Sequence, residues 1–444
     1  MPTLNKIRSA LAGATGLRGR GDVRSPAPGL RRLRTAITVF FALDGFVFAG
    51  WVVRIPAIKE QTGASPSALG LALLGVSAGG VVTMMLTGRL CRRVGNHRVT
   101  VAAGALLSLS VALPPLTHSA VSLGLVLLVF GAAYGGVNVA MNAAAVDLIA
   151  ALRRPVMPGF HAAFSLGGMA GAGVGGLLAA HLTPTRHLLL LTATGLVLTV
   201  LAGRVLLTVP APAPGPAPGP APASAGDSAP DAAAAPVPSQ AADGRGDGDP
   251  VRPRGTSRTA RRVVVLLGLV ALCTAYGEGA LADWSALHLT EDLHAGPGVA
   301  AAGYSVFALA MTAGRLGGTW LLERLGQGRL LRLGGLTAAA GMLLAALAPQ
   351  VWLVLAGFVV TGVGLANLFP VAVARAGALA GPDGVAAAST LGYGGMLIGP
   401  VAIGFLAEWF SLTAALTSVA LLAAVAAAVA RAVREEAPDG GRSR

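Results

Sequence analysis

The chain has 444 residues, 54% of them hydrophobic and 12% charged, with a formal net charge of +14 and a mean hydropathy of +0.70. Soluble domains carry roughly a quarter charged residues, so this balance excludes a water-soluble fold. The cationic excess sits at the ends of apolar runs and in the tails, without interleaved aromatics, which excludes a nucleic-acid-binding surface.

In chain order, residues 1–34 are an Arg-rich tail with no cleavable signal, because the first long apolar run starts only at Thr35 and continues to spanning length. Runs able to cross a ~30 Å hydrocarbon core at 1.5 Å per residue then recur almost to the C-terminus. They predict helices over 35–53, 68–88, 99–117, 121–145, 158–181 and 187–209, then over 263–283, 299–321, 330–348, 351–374, 385–408 and 411–431. The expected fold is therefore an all-α membrane protein of twelve transmembrane helices in two six-helix repeats, residues 35–209 and 263–431. Residues 210–262, rich in Pro, Ala and Gly, read as a disordered linker, and 432–444 as a second tail. Trp51 to Gly70 and Trp284 to Gly303 have equal separations, and Gly-Gly-Met recurs at 167–169 and 394–396, as a duplicated unit requires.

Arginines cluster before the first helix, after the second (Arg89, Arg92, Arg93, Arg98), after the fourth (Arg153, Arg154) and after the eighth (Arg324, Arg329, Arg332). The positive-inside rule then places both termini and the linker in the cytoplasm of a multi-pass inner-membrane protein. Trp51, Trp284, Trp352 and Trp409 fall at the opposite helix ends and are expected to form an interfacial aromatic belt. Cys91 and Cys273 both lie in or beside apolar segments and are read as packing residues.

Polar groups single out a subset of helices: Asp44, then Asn138 and Asn142, then Glu278 and Asp283, then Arg315, then Asn367. Charge inside a bilayer is costly and marks a pathway, so these residues are expected to line a cavity. Asp44 and Arg315 are expected at one depth near the midplane, either as a titrating carboxylate with a solute-binding or balancing guanidinium or as a structural pair. Glu278 is expected higher, in the outer vestibule. Asp283 beside Trp284 reads as interfacial, and the asparagines serve equally as cavity groups or as interhelical hydrogen-bond links. Asp147 and His161 fall at cytoplasmic helix ends as gate residues or solvated groups. The glycine run from Gly167 to Gly176 suits close helix packing or sliding. The only lysines are Lys6 and Lys59, so no phosphate-cradling Walker motif exists, and no metal or catalytic constellation emerges. No enzyme activity, cofactor or metal is expected.

The loop from Gly88 to Arg98, GRLCRRVGNHR, resembles the signature between helices 2 and 3 of the major facilitator superfamily, Gly-x-x-x-Asp-Arg-x-Gly-x-Arg-Arg. Gly88, Arg93 and Gly95 match; Arg92 replaces the acid, which Glu323 restores before Arg324 and Gly326 in the second half. Further stretches, including Asp44 to Pro56, Asn138 to Asp147, Pro158 to Gly168 and Glu278 to Leu287, are similar to a poorly characterised bacterial branch distantly like fucose permease. The resemblance implies a central cavity, alternating access by rocking of the halves, and proton coupling through a helix-1 carboxylate, a place Asp44 occupies. GAGVGG, from Gly171 to Gly176, resembles an exporter signature with Ala172 for Pro. The expected function is a monomeric, proton-coupled transporter of a small polar solute, with a drug-type efflux antiporter and a non-transporting membrane solute receptor as alternatives.

Overall fold

A computed structural model describes residues 28–152, 156–210 and 258–436. Most of the expected linker lies outside the described residues, as do residues 1–27, Arg153, Arg154 and 437–444. The first half contains α1 (Pro28–Val52), a short α2 (Ile55–Thr62), α3 (Pro66–Val94), α4 (Asn96–Ser110), α5 (Ala120–Leu152), α6 (Met157–Ala179) and α7 (Pro184–Thr208). The second contains α8 (Arg258–Leu287), a π turn (His288–Asp292), α9 (Pro297–Leu316), α10 (Gly318–Leu347), α11 (Val351–Leu365), α12 (Leu368–Trp409) and α13 (Leu412–Glu436). Twelve segments are long and apolar enough to span a membrane, and the described residues contain no strand. α1 begins at Pro28 and α8 at Arg258, both earlier than the apolar runs alone indicate.

Helix starts follow their local chemistry. α3 and α7 open on Pro66 and Pro184, with the Ser65 and Thr183 hydroxyls accepting from the Ala68 and Arg186 amides at 3.3 Å. The breaks are repeated between halves. Gly95 separates α3 from α4 with φ +95°, and Gly326 kinks α10 with φ +72° at the corresponding loop. Neither position would crowd a Cβ, so glycine is there for its backbone freedom.

The two Gly-Gly-Met segments also do one job twice. A Cβ on Gly167 of α6 would strike the Ala42 carbonyl of α1, and one on Gly395 of α12 would strike the Leu272 carbonyl of α8. Gly45 and Gly171 continue the α1–α6 contact against Phe164 and Phe46, so most of the glycine run is explained by backbone approach.

The halves meet through α3 with α12 and α6 with α9, at the end away from the arginine-rich loops. There Gly70 and Gly404 pack on Pro400 and Pro66, and Gly176 packs on Gly298 and Ala301. Lys59 Nζ reaches Glu291 Oε1 at 2.5 Å across the halves. Glu408 accepts from the Ser65 hydroxyl (2.8 Å) and the Ser67 amide (3.0 Å).

The aromatic belt is half corrected. Trp352 and Trp409 are exposed, but Trp51 and Trp284 are buried. α2 begins four residues after Trp51, and α8 passes into the π turn four residues after Trp284. In the π turn, His288 bonds Asp292 (2.7 Å) and the Ala345 carbonyl (3.0 Å), which ties it to α10.

Candidate functional site

Asp44 lies on the face of α1 that meets α5 and is fully buried, at 0% exposure. Among the described residues, neither carboxylate oxygen has a hydrogen-bond partner. Asn138 lies beside it, short of hydrogen-bond geometry, and Tyr134 lies within its electrostatic reach. Tyr134, Asn138 and Asn142 recur at four-residue spacing along one face of α5. Asn142 turns its amide to the Asn138 carbonyl at 2.8 Å, a bond within its own helix. The interhelical link expected of the asparagines is made by Asn367, whose amide donates to the Gly314 carbonyl of α9 at 2.9 Å.

In the second half, Arg315 is one residue from the end of α9, just before the Gly317 break. Its Nη2 faces both Glu278 oxygens, at 3.2 and 3.5 Å, and its Nε donates to the Ala366 carbonyl at 3.2 Å. The pair is open to solvent, with side-chain exposures of 47% for Arg315 and 23% for Glu278. Arg315 is therefore partnered by Glu278, not Asp44, and Glu278 shares its level instead of lying above it. α1 starts seven residues before the expected helix, and α9 ends five residues before its expected end.

One turn before Arg315, Thr312 donates to the Ser165 hydroxyl of α6 at 3.2 Å across the halves. Residues three apart share a helix face, so Arg315 lies one turn from this contact on the same face of α9. Aromatic rings bridge the two polar groups. Phe48 packs on Tyr134 at 5.1 Å and on Tyr304 of α9 at 6.3 Å. Tyr304 in turn lies within electrostatic reach of Glu278, Asp283 and Arg315. Asp283, half-buried, therefore borders this polar cluster. Tyr134, Phe48 and Tyr304 escaped the sequence reading, although the Tyr134–Asn138 spacing signalled the first of them.

The loop residues fall at the arginine-rich end. Asp147 on α5 accepts from the Asn96 amide at 2.6 Å, directly after Gly95. It lies near Cys91. The first half therefore places a carboxylate at this loop from another helix, although Arg92 occupies the acid position in sequence. Arg92, Arg93 and Glu323 are exposed, and Arg324 stacks over the Trp320 ring at 4.8 Å. His161 meets Phe41 edge-on at 5.5 Å. At the opposite end, Arg54 is buried, its Nε donating to His187 Nδ1 at 2.9 Å, and burial lowers its pKa from the usual guanidinium value. The spacing of the sequence gave no sign of that contact between the start of α2 and α7.

The model of the Major Facilitator Superfamily matches residues 35–281 and 267–444. An uncharacterised transporter of this type from Yersinia pestis is 34% identical over 416 residues, covering 91% of this chain and 97% of the relative. An uncharacterised transporter from Sinorhizobium fredii is 31% identical, covering 91% of this chain and all of the relative. Among solved structures, the fold is similar to the nucleoside transporter NupG (TM-score 0.67, 13% identity, 91% and 99% of the two chains). It is also similar to an inward-facing bacterial homologue of the lysosomal transporter Spinster (TM-score 0.66, 14% identity, 94% and 100%). A D-xylose–proton symporter scores 0.65 at 12% identity, covering 92% and 98%. A membrane of twelve apolar spans in two matched halves, a central polar cluster and relatives of nearly full coverage agree on one conclusion: the chain belongs to the Major Facilitator Superfamily and is a transporter, not an enzyme.

Proposed function

We propose that this transporter moves a small polar solute by alternating access, coupled to protons through Asp44, with both termini and residues 210–262 in the cytoplasm. Asp44 carries the reading: it is a carboxylate with no hydrogen-bond partner and no exposure, on a helix facing the seam between the halves. Burying an unpaired charge disfavours its ionised form, so such a group holds a proton until water or a partner reaches it. Rocking of the halves supplies that change of surroundings. Asn138 and Tyr134 lie beside the carboxylate as polar neighbours for both of its states.

The arrangement of contacts supports a conformation closed on the outside and open to the cytoplasm. The Lys59–Glu291 and Glu408–Ser65 links and the glycine contacts join the halves at the end away from the arginine-rich loops. Arg315 remains half exposed below the Ser165–Thr312 contact. The glycine run that resembles an exporter signature is used for packing of α6 on α1 and α9, and so gives no support to efflux over uptake.

The test is Asp44→Asn in proteoliposomes with an imposed pH gradient. The neutral amide mimics the protonated carboxylate, so solute exchange should persist while accumulation falls at least about tenfold, the loss of roughly 1.4 kcal/mol of driving force. Undiminished accumulation would remove Asp44 from proton coupling.

A further inference from the structure

The Glu278–Arg315 pair has a property that a purely structural ion pair lacks: the guanidinium is only partly used. Nη2 serves both Glu278 oxygens and Nε serves a backbone carbonyl. Nη1 has no hydrogen-bond partner among the described residues, and 47% of the side chain is exposed. Structural arginines inside membranes are normally surrounded and satisfied, since each unmet donor is costly there. This one leaves an edge exposed, one turn from the Ser165–Thr312 contact where the halves touch. Its fork matches a carboxylate bidentately, whereas a lysine would offer only a point charge.

Resting on the transport reading above, we infer that the solute carries a carboxylate, and that this group binds Arg315 by displacing Glu278, which acts as an internal stand-in when the cavity is empty. The charge inventory selects one negative charge over two. Arg315 is the sole cationic side chain in this cluster among the described residues, while Glu278 and Asp283 are acidic. A phosphate dianion would meet two acids and one base, but a monocarboxylate simply replaces Glu278 with an equal charge. Tyr304 faces the same groups and supplies a hydroxyl and ring edge at the border of the site. Asn367 fixes the bend from which Arg315 projects, through its bond to Gly314. Displacement also leaves Glu278 partly wetted instead of stranded, because it is 23% exposed before any solute arrives.

The experiment is thermal-shift binding on the purified full chain with matched probes: lactate against lactamide, gluconate against glucitol, and shikimate against its methyl ester. At least one carboxylate should stabilise the wild type while its neutral partner does not. For that probe, Arg315→Gln should weaken binding at least about tenfold, and Arg315→Lys should recover only part of it, because charge returns without the fork. Glu278→Gln removes the internal competitor and should tighten binding about threefold to tenfold, the scale of a partly exposed ion pair. Equal stabilisation by the neutral partners, stabilisation by none of the carboxylates, or weaker binding in Glu278→Gln would each overturn the inference. Flux of a neutral sugar with inert carboxylates would refute this site and leave the transport reading standing. Carboxylate binding that needs Arg315 but yields no flux in liposomes would do the reverse.

Discussion

The two halves hold their acidic groups under opposite conditions. In the first, Asp44 is sealed from solvent and alone; in the second, Glu278 is wet and paired with Arg315. The scaffolds around them are nevertheless alike. Gly95 and Gly326 turn the chain at matching loops, Gly167 and Gly395 bring matching helices together, and Trp51 and Trp284 are buried at matching positions. Duplication has therefore kept the residues that determine backbone path and released those that determine charge. A symmetric frame with asymmetric chemistry lets one half titrate while the other holds a counter-charge, without either role distorting the packing.

The comparison predicts equal responses where the frame is touched. Gly167→Val and Gly395→Val should each cost about 3 kcal/mol or more, because the new side chain meets a neighbouring carbonyl that cannot yield. Large drops in melting temperature and in recoverable folded protein should follow for both. A large effect in one half only would show that the helix contact is not shared.

Next in size are Gly95→Ala and Gly326→Ala. Both glycines combine positive φ with ψ near the extended range, at +142° and +159°, a region that other residues avoid. Open space surrounds each, so the loss should be backbone strain alone, about 1–3 kcal/mol and similar for the two. Thermal unfolding of the two variants side by side measures the difference.

Charge changes should instead separate the halves. In a double-mutant cycle, Glu278→Gln and Arg315→Gln should couple by about 0.5–1 kcal/mol, as contacting charges do. Asp44→Asn with Arg315→Gln should be additive to within about 0.5 kcal/mol. Strong coupling between Asp44 and Arg315 would join what the structure holds apart.

The smallest effect on stability is expected at Lys59→Ala and Glu291→Ala, below about 1 kcal/mol, since Glu291 is exposed. Their consequence should appear in conformation. Spin-label distances between the start of α3 and the end of α12 should broaden toward longer values, and unchanged distributions would mean that the glycine contacts alone keep that end shut.

Hydropathy alone located the twelve spans, and the repeated Gly-Gly-Met and glycine loops announced the duplication, because both depend on residues that act through the backbone. Side-chain partnership was less legible. Apolar runs also understate helix length, since α1 extends through Arg31, Arg32 and Arg34 to Pro28. The Glu278–Arg315 pair needs the rotation of α8 against α9, which packing decides and no spacing records. Asp147 shows the same limit: it supplies a loop carboxylate from about fifty positions away, through a bond to Asn96.

The placement of the tryptophans gives the protein a built-in optical partition. Trp51 and Trp284 are enclosed, one in each half, while Trp320, Trp352 and Trp409 are exposed. Brominated acyl chains and aqueous quenchers should therefore extinguish the second group first and leave a residual emission from the two interior rings. Because those rings lie four residues before α2 and the π turn, that residual light reports the interior packing near both segments, and in unlabelled protein it can be followed in real time while a solute is mixed in.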